Sequence, residues 1–181
     1  MKDEDLIWQK KGKKELLKTR VLTVTEIESV SPENETGNFI VMDAPDWVMV
    51  IPEIDGDFLM VKQWRHGENN LSIEFPGGVM DAGESPEDAA RRELLEETGY
   101  KSNELIYLGK ANPNPAIMSN HVHFFAAKNL VATGKQELDD EEFVDYMRIP
   151  KEEVCRNFGN PEYSHALMMA ALLKYMTCEN K

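Results

Sequence analysis

Cysteine is scarce in this chain: Cys155 and Cys178 are the two in 181 residues. Two thiols exclude a disulfide-stapled fold, and without an export signal they read as free thiols in a reducing cytoplasm. The start, Met1-Lys-Asp-Glu-Asp, is charged and leads into no apolar signal core. No apolar run approaches the ~20 residues of a membrane span. Internal repeats and low-complexity linkers are missing as well. Positive charge is the minority sign: 20 Lys and Arg stand against 33 Asp and Glu, a formal net charge of −13. That balance argues against nucleic-acid binding through a broad basic surface. It leaves room for a small anionic ligand, because a local cluster of cations can override the overall field. Residues 10–20 are basic and residues 137–145 strongly acidic, and both read as solvated surface. Residues 105–136 contain no Asp or Glu at all, so any acid a reaction needs must come from elsewhere in the chain.

What is present suits one well-buried domain with a small accessory element: 181 residues, 41% of them hydrophobic. Residues 18–28, 38–42, 47–54, 58–64, 105–109, 121–127 and 143–149 have strand-like alternation or β-rich apolar runs. Asp55-Gly56-Asp57 is a hairpin signal between two of them. A helix follows Ser85, a good N-cap, with Pro86 at its first position, Glu87 and Asp88 at its positive end and Gly99 as terminator. Residues 151–155 fit a short helix and residues 164–176 an apolar C-terminal one. Strands interleaved with two main helices indicate an α+β fold, a mixed-sheet sandwich.

The chemistry concentrates in residues 78–100. Glu93, Glu96 and Glu97 are three and four apart, so they share one face of the predicted helix. Three carboxylates there repel one another unless a cation sits among them, and hard divalent cations such as Mg²⁺ prefer oxygen ligands. Gly77, Gly78 and Gly83 permit tight turns and the close approach of a ligand. Glu84 can bend back toward the same cluster, and Arg92 can clamp the carboxylates or offset their repulsion. Such a site suits Mg²⁺ and a diphosphate.

This segment resembles the Nudix box: Gly, five residues, Glu, seven residues, then Arg-Glu-apolar-any-Glu-Glu-any-Gly-apolar. Gly78, Glu84, Arg92, Glu93, Leu94, Glu96, Glu97 and Gly99 match at the required spacing, and Tyr100 stands where an aliphatic residue is commoner. The resemblance implies a Nudix α/β/α sandwich with a mixed sheet. It implies Glu93 and Glu97 as main metal ligands, Glu96 assisting with metal or base, the Gly77 carbonyl and Glu84 as further ligands, and Arg92 orienting the glutamates. The cofactor would be Mg²⁺, with Mn²⁺ as a substitute, and the substrate a nucleoside diphosphate linked to another moiety.

Further residues are similar to the group of Nudix enzymes that hydrolyse ADP-ribose and nucleoside-diphosphate sugars. These are residues 61–65 (Val-Lys-Gln-Trp-Arg), residues 71–78 (Leu-Ser-Ile-Glu-Phe-Pro-Gly-Gly) and Pro115, fifteen positions past Tyr100. By this resemblance Arg65, Glu74, Gly78 and Pro115 would bind substrate. Residues 1–45 would form an N-terminal β extension supporting a homodimer, and residues 46–181 the hydrolase domain. Members of the group often carry a catalytic glutamate after the marker proline, where this chain has none. The base must then come from the box, from His121, or from a later acid, Glu141 or Glu142. The expected reaction is Mg²⁺-dependent hydrolysis of ADP-ribose or a related sugar nucleotide to a nucleoside monophosphate and a sugar phosphate. The alternatives are another nucleoside-diphosphate specificity and a non-catalytic sensing domain, a kind that usually lacks box glutamates.

Overall fold

The structure, a computed structural model, describes residues 2–139 and 142–179. Glu141 lies outside the described residues. The chain divides into two compact units: Met1–Pro45 with Asn112–His121, and Asp46–Ala111 with Val122–Lys181. The first therefore takes in a ten-residue loop besides the N-terminal extension.

In the first unit, β1 (Gln9–Lys18), β2 (Thr23–Val30) and β3 (Thr36–Asp43) form an antiparallel sheet in that order. Strand β1 is a correction to the sequence reading, which left residues 10–17 as basic surface. The residues of β1 are almost all exposed, so no apolar alternation marks the strand. Its pairing is also irregular between Lys10 and Gly12 and between Glu15 and Leu17, which breaks the two-residue period. Lys13 pairs with Asp43 at 2.7 Å, and Trp8 meets Phe39 edge-on at 5.1 Å.

The second unit holds a six-stranded mixed sheet. Its strands are β4 (Trp47–Ile54), β5 (Asp57–Arg65), β6 (Asn70–Glu74), β7 (Tyr100–Ala111), β8 (Val122–Ala132) and β9 (Val144–Pro150). The order is β6-β5-β4-β8-β7, with β9 on β5. Strands β4 and β8 run parallel, and the other pairs are antiparallel. Strand β6 had no separate sequence signal, being five residues long and running straight into the Phe75-Pro76-Gly77-Gly78 turn.

Alternation along β4 and β8 builds a core on each face. Val48, Val50, Phe125 and Ala127 pack against Ala89, Ala90 and Leu94 of α1 (Pro86–Thr98). Met49, Ile51, Phe124 and Ala126 point the other way. They meet Val154 of α2 (Lys151–Asn157) and Met168, Ala171, Leu172 and Tyr175 of α3 (Ala166–Glu179). Helices on both faces of a mixed sheet make the expected α/β/α sandwich. Among the described residues no helix is long and apolar enough to cross a membrane.

Candidate active site

The local sequence sets the aim of α1. Asp81 O accepts from Glu84 N at 3.0 Å, and Gly83 takes φ +85°, the positive angle a tight turn needs at that position. Ser85 Oγ then accepts from Asp88 N at 3.1 Å and caps the helix. Gly99, at φ +69°, ends it. These stops fix the rotation of the helix, so Glu93 and Glu97 turn inward and are 7% and 4% exposed.

Arg92 is the hub. Its Nε and Nη2 donate to the two oxygens of Glu84, both at 3.0 Å. Its Nη1 donates to Glu93 Oε1 at 2.9 Å and Glu96 Oε2 at 3.0 Å, and Nη2 also reaches Val79 O at 3.1 Å. Glu97 lies apart from this hub, its Oε2 accepting from Gly77 N at 2.8 Å.

The two glycines act by proximity. A Cβ on Gly78 would lie 2.5 Å from Glu93 Oε1, whereas one on Gly77 would collide with the Val48 carbonyl. Glu93 and the Gly77-Gly78 turn are thus pressed together.

Charge is unevenly compensated. The Arg92 hydrogen bonds hold Glu84 below the usual carboxylate range and raise Arg92 itself. Burial pushes Glu93 up to about 7 against the pull of Arg92, with the charges of Glu96 and Glu142 adding to it. Burial also pushes Glu97 up to about 8, opposed by the Gly77 N–H and reinforced by Glu93 and Glu142. One guanidinium does not neutralise this group. Among the described residues no three His, Cys, Asp or Glu side chains are gathered as a ready-made metal cage. The donor chemistry nonetheless fits a hard divalent cation: the ligand atoms are all oxygens, and two buried carboxylates lack a full counter-charge.

Next to the box lies a second charged group. Arg65 donates through Nε to Glu74 Oε1 at 2.9 Å and through Nη2 to Oε2 at 2.6 Å. Glu74 is 1% exposed, and His165 Nδ1 stands 3.2 Å from the same Oε2. Burial works against the Glu74 charge, yet the Arg65 hydrogen bonds, with the His165 ring close by, win and hold it well below the usual range. Both oxygens of Glu74 are engaged within the protein, whereas Arg65 is half-exposed and feels the charge of Glu97. His165 was not singled out in the sequence. A lone histidine ahead of an apolar helix carries no motif, and the signal lay in the depth of its partner.

Pro115 and His121 belong to the first unit. Pro115 takes the second position of a turn in which Ile117 N donates to Asn114 O at 3.1 Å, and it is exposed. His121 is half-buried just ahead of β8. His123, two residues further on, is mostly covered. It stands between Tyr107 and Asp46, its Nδ1 3.2 Å from the Tyr107 hydroxyl and its Nε2 3.2 Å from Asp46 Oδ2. Glu142 lies near enough for its charge to be felt at Glu93 and Glu97.

A sequence model of the NUDIX domain matches residues 43–170. The chain belongs to the Nudix family. Among its Nudix relatives is the ADP-ribose pyrophosphatase of Bacillus subtilis, 32% identical over 147 residues, which is 80% of either chain. Another is the ADP compounds hydrolase NudE of Escherichia coli, 29% identical over 125 residues, covering 69% of this chain and 67% of that one. In three dimensions the fold matches the crystal structure of an ADP compounds hydrolase with a TM-score of 0.85. That match covers 96% of this chain and 94% of the other at 23% identity. The Nudix chain described here is an enzyme acting on pyrophosphate bonds, and Nudix hydrolases generally use divalent cations.

Proposed function

We propose that this Nudix enzyme hydrolyses the diphosphate of ADP-ribose or a closely related ADP-sugar in a Mg²⁺-dependent reaction, releasing AMP and a sugar phosphate. The observation that carries the reading is the pair of inward-facing, under-compensated carboxylates Glu93 and Glu97 beside the anchored Arg65. The relatives named for ADP-ribose and ADP compounds support the nucleotide. Glu93, Glu97 and Glu96, with the Gly77 carbonyl and Glu84, would hold Mg²⁺, and Mn²⁺ would substitute. When bound, the cation supplies charge neutralisation and polarisation at the diphosphate.

The chain's own groups do the rest. Arg92 orients Glu84, Glu93 and Glu96. Arg65, gripped along one edge by Glu74, offers its exposed remainder to a substrate phosphate. Glu74 then serves substrate through Arg65 rather than by touching it. The proton of the attacking water passes to Glu142 as that oxygen adds to phosphorus and the P–O–P bridge breaks toward the leaving phosphate. The charge of Glu142 at Glu93 and Glu97 favours it over His121.

A cytoplasmic homodimer is part of the same reading. Cys155 and Cys178 are free and exposed. The first unit exposes Leu6, Ile7, Trp8, Leu17, Phe39 and Ile40, a surface suited to a second copy of the extension.

A panel of ADP-ribose, other nucleotide sugars, dinucleotides and nucleoside triphosphates, assayed with Mg²⁺ and resolved by product, tests the substrate. ADP-ribose or an ADP-sugar should give the highest kcat/KM. A different nucleoside diphosphate compound in first place would transfer the assignment to that substrate, and no turnover of any would refute it.

A further inference from the structure

A helix leaves its last carbonyls without intrahelical partners, and one segment of this chain satisfies several of those at the end of α1. Leu95 O accepts from Gly99 N at 2.7 Å, and the carbonyls of Glu96 and Glu97 are served from residues 136–137. Glu137 N donates to Glu96 O at 3.0 Å, and Thr133 donates to Gly99 O through both N and Oγ1 at 2.8 Å. Gln136 donates through a single nitrogen to Glu97 O at 2.5 Å and to Val144 O at 3.1 Å. The fit is close, for a Cβ on Gly99 would lie 2.8 Å from Lys135 O.

The two carbonyls that Gln136 joins are not equivalent. One belongs to Glu97 at the end of the box helix. The other begins β9, two residues after Glu142. Glu137 is therefore tied to α1 directly, and Val144 through Gln136. Glu142 N donates to Asp139 O at 3.0 Å, and Glu142 Oε2 accepts from Asp139 N at 3.4 Å.

We infer that Gln136 is a positioning residue: its amide, bridging Glu97 O and Val144 O, ties the start of β9 to the end of the box helix and so presents Glu142, two residues before Val144, to the glutamates of the site. This rests on the reading of Glu142 as the reaction's acid–base group and deepens it. A bridge from one nitrogen is suited to the task because it fixes a distance between two main-chain points. Without it, Glu137 N–H on Glu96 O and the β9 pairing of Val144 with Gln63 remain, but the direct tie from Val144 to the box helix is lost, and displacements near 1 Å cost roughly 100-fold in rate.

A double-mutant cycle tests this, built from Gln136→Met, Glu142→Gln and the double variant. Methionine keeps the length and removes the donor. Each protein is assayed with Mg²⁺ on the compound the panel turns over fastest, with circular dichroism and melting to confirm folding. The expected result for Gln136→Met is a kcat loss between about 10- and 100-fold with KM within about twofold. The double variant should be no slower than Glu142→Gln alone. Losses that multiply in the double variant, or a Gln136→Met enzyme at the wild-type rate, would overturn the inference while leaving Glu142 in its role. A Glu142→Gln enzyme at the wild-type rate would overturn the base assignment and the inference together. Absence of Mg²⁺-dependent turnover in the wild type would instead refute the functional reading itself.

Discussion

Glu97 is the residue on which the site turns, because it is deeply buried and receives one N–H from Gly77 and nothing from Arg92. Glu97→Gln removes a charge the metal-free fold holds at a cost. It should lower kcat by several orders of magnitude and raise the metal-free melting temperature at pH 8, measured by calorimetry. The wild type carries the matching pH dependence. Glu93 and Glu97 have folded-state values raised above the ordinary 4.5, to about 7 and about 8. Their contribution to stability is full below 4.5 and is lost as pH rises through 7 to 8. A divalent cation needs both carboxylates ionised. The rise in melting temperature on adding Mg²⁺ should therefore be larger at pH 8 than at pH 6, and equal rises would place the metal elsewhere. Glu74 has the opposite sign. Its lowered value gives stability that is present above 4.5 and lost as pH falls below it. Removing Arg65 strands that buried carboxylate with His165 alone, so Arg65→Ala should destabilise by about 3 kcal/mol in urea titration as well as raise KM.

Among the elements, the box loop and its helix were the most legible in the sequence. Ser85, Pro86 and Gly99 are local stops whose physics acts within a few residues, and the structure uses each of them. The glutamate spacing revealed a shared face but not that Glu93 and Glu97 are buried, since depth depends on the sheet beneath them. Strand β1 escaped because it shows no apolar alternation, and β6 because its alternation, Leu71 and Ile73 between polar residues, is only five residues long. Gln136 and His165 escaped for a different reason: each acts through a distant group, a main-chain carbonyl or a buried carboxylate. The glycine turn yields a paired prediction. In Gly78→Ala the new methyl meets the movable end of Glu93, so the protein should fold and lose roughly 100-fold in kcat. In Gly77→Ala it meets the main chain of Val48, so stability should fall first. If melting curves show Gly78→Ala as the less stable of the two, the packing described for the turn is wrong.

At the scale of the whole molecule, net charge and function point in opposite directions and are reconciled locally. A chain at −13 repels an anionic substrate at long range. In the proposed reading, Arg65 and a divalent cation on the glutamates would attract the diphosphate locally. Activity should accordingly rise with moderate salt, which screens the general repulsion, until the Arg65 contact itself is screened. The exposed apolar residues of the first unit lead to a second expectation. Light scattering should give twice the 20.7 kDa chain mass, and removal of residues 1–22 should shift it to a single chain.

The most direct test of the central claim is a Mg²⁺ titration of ADP-ribose hydrolysis, following AMP release by wild type and Glu97→Gln in parallel. Saturable, Mg²⁺-dependent AMP release by the wild type, abolished in a folded Glu97→Gln, is the predicted result. Release that is independent of divalent cation, or that survives the substitution at the wild-type rate, would contradict the account.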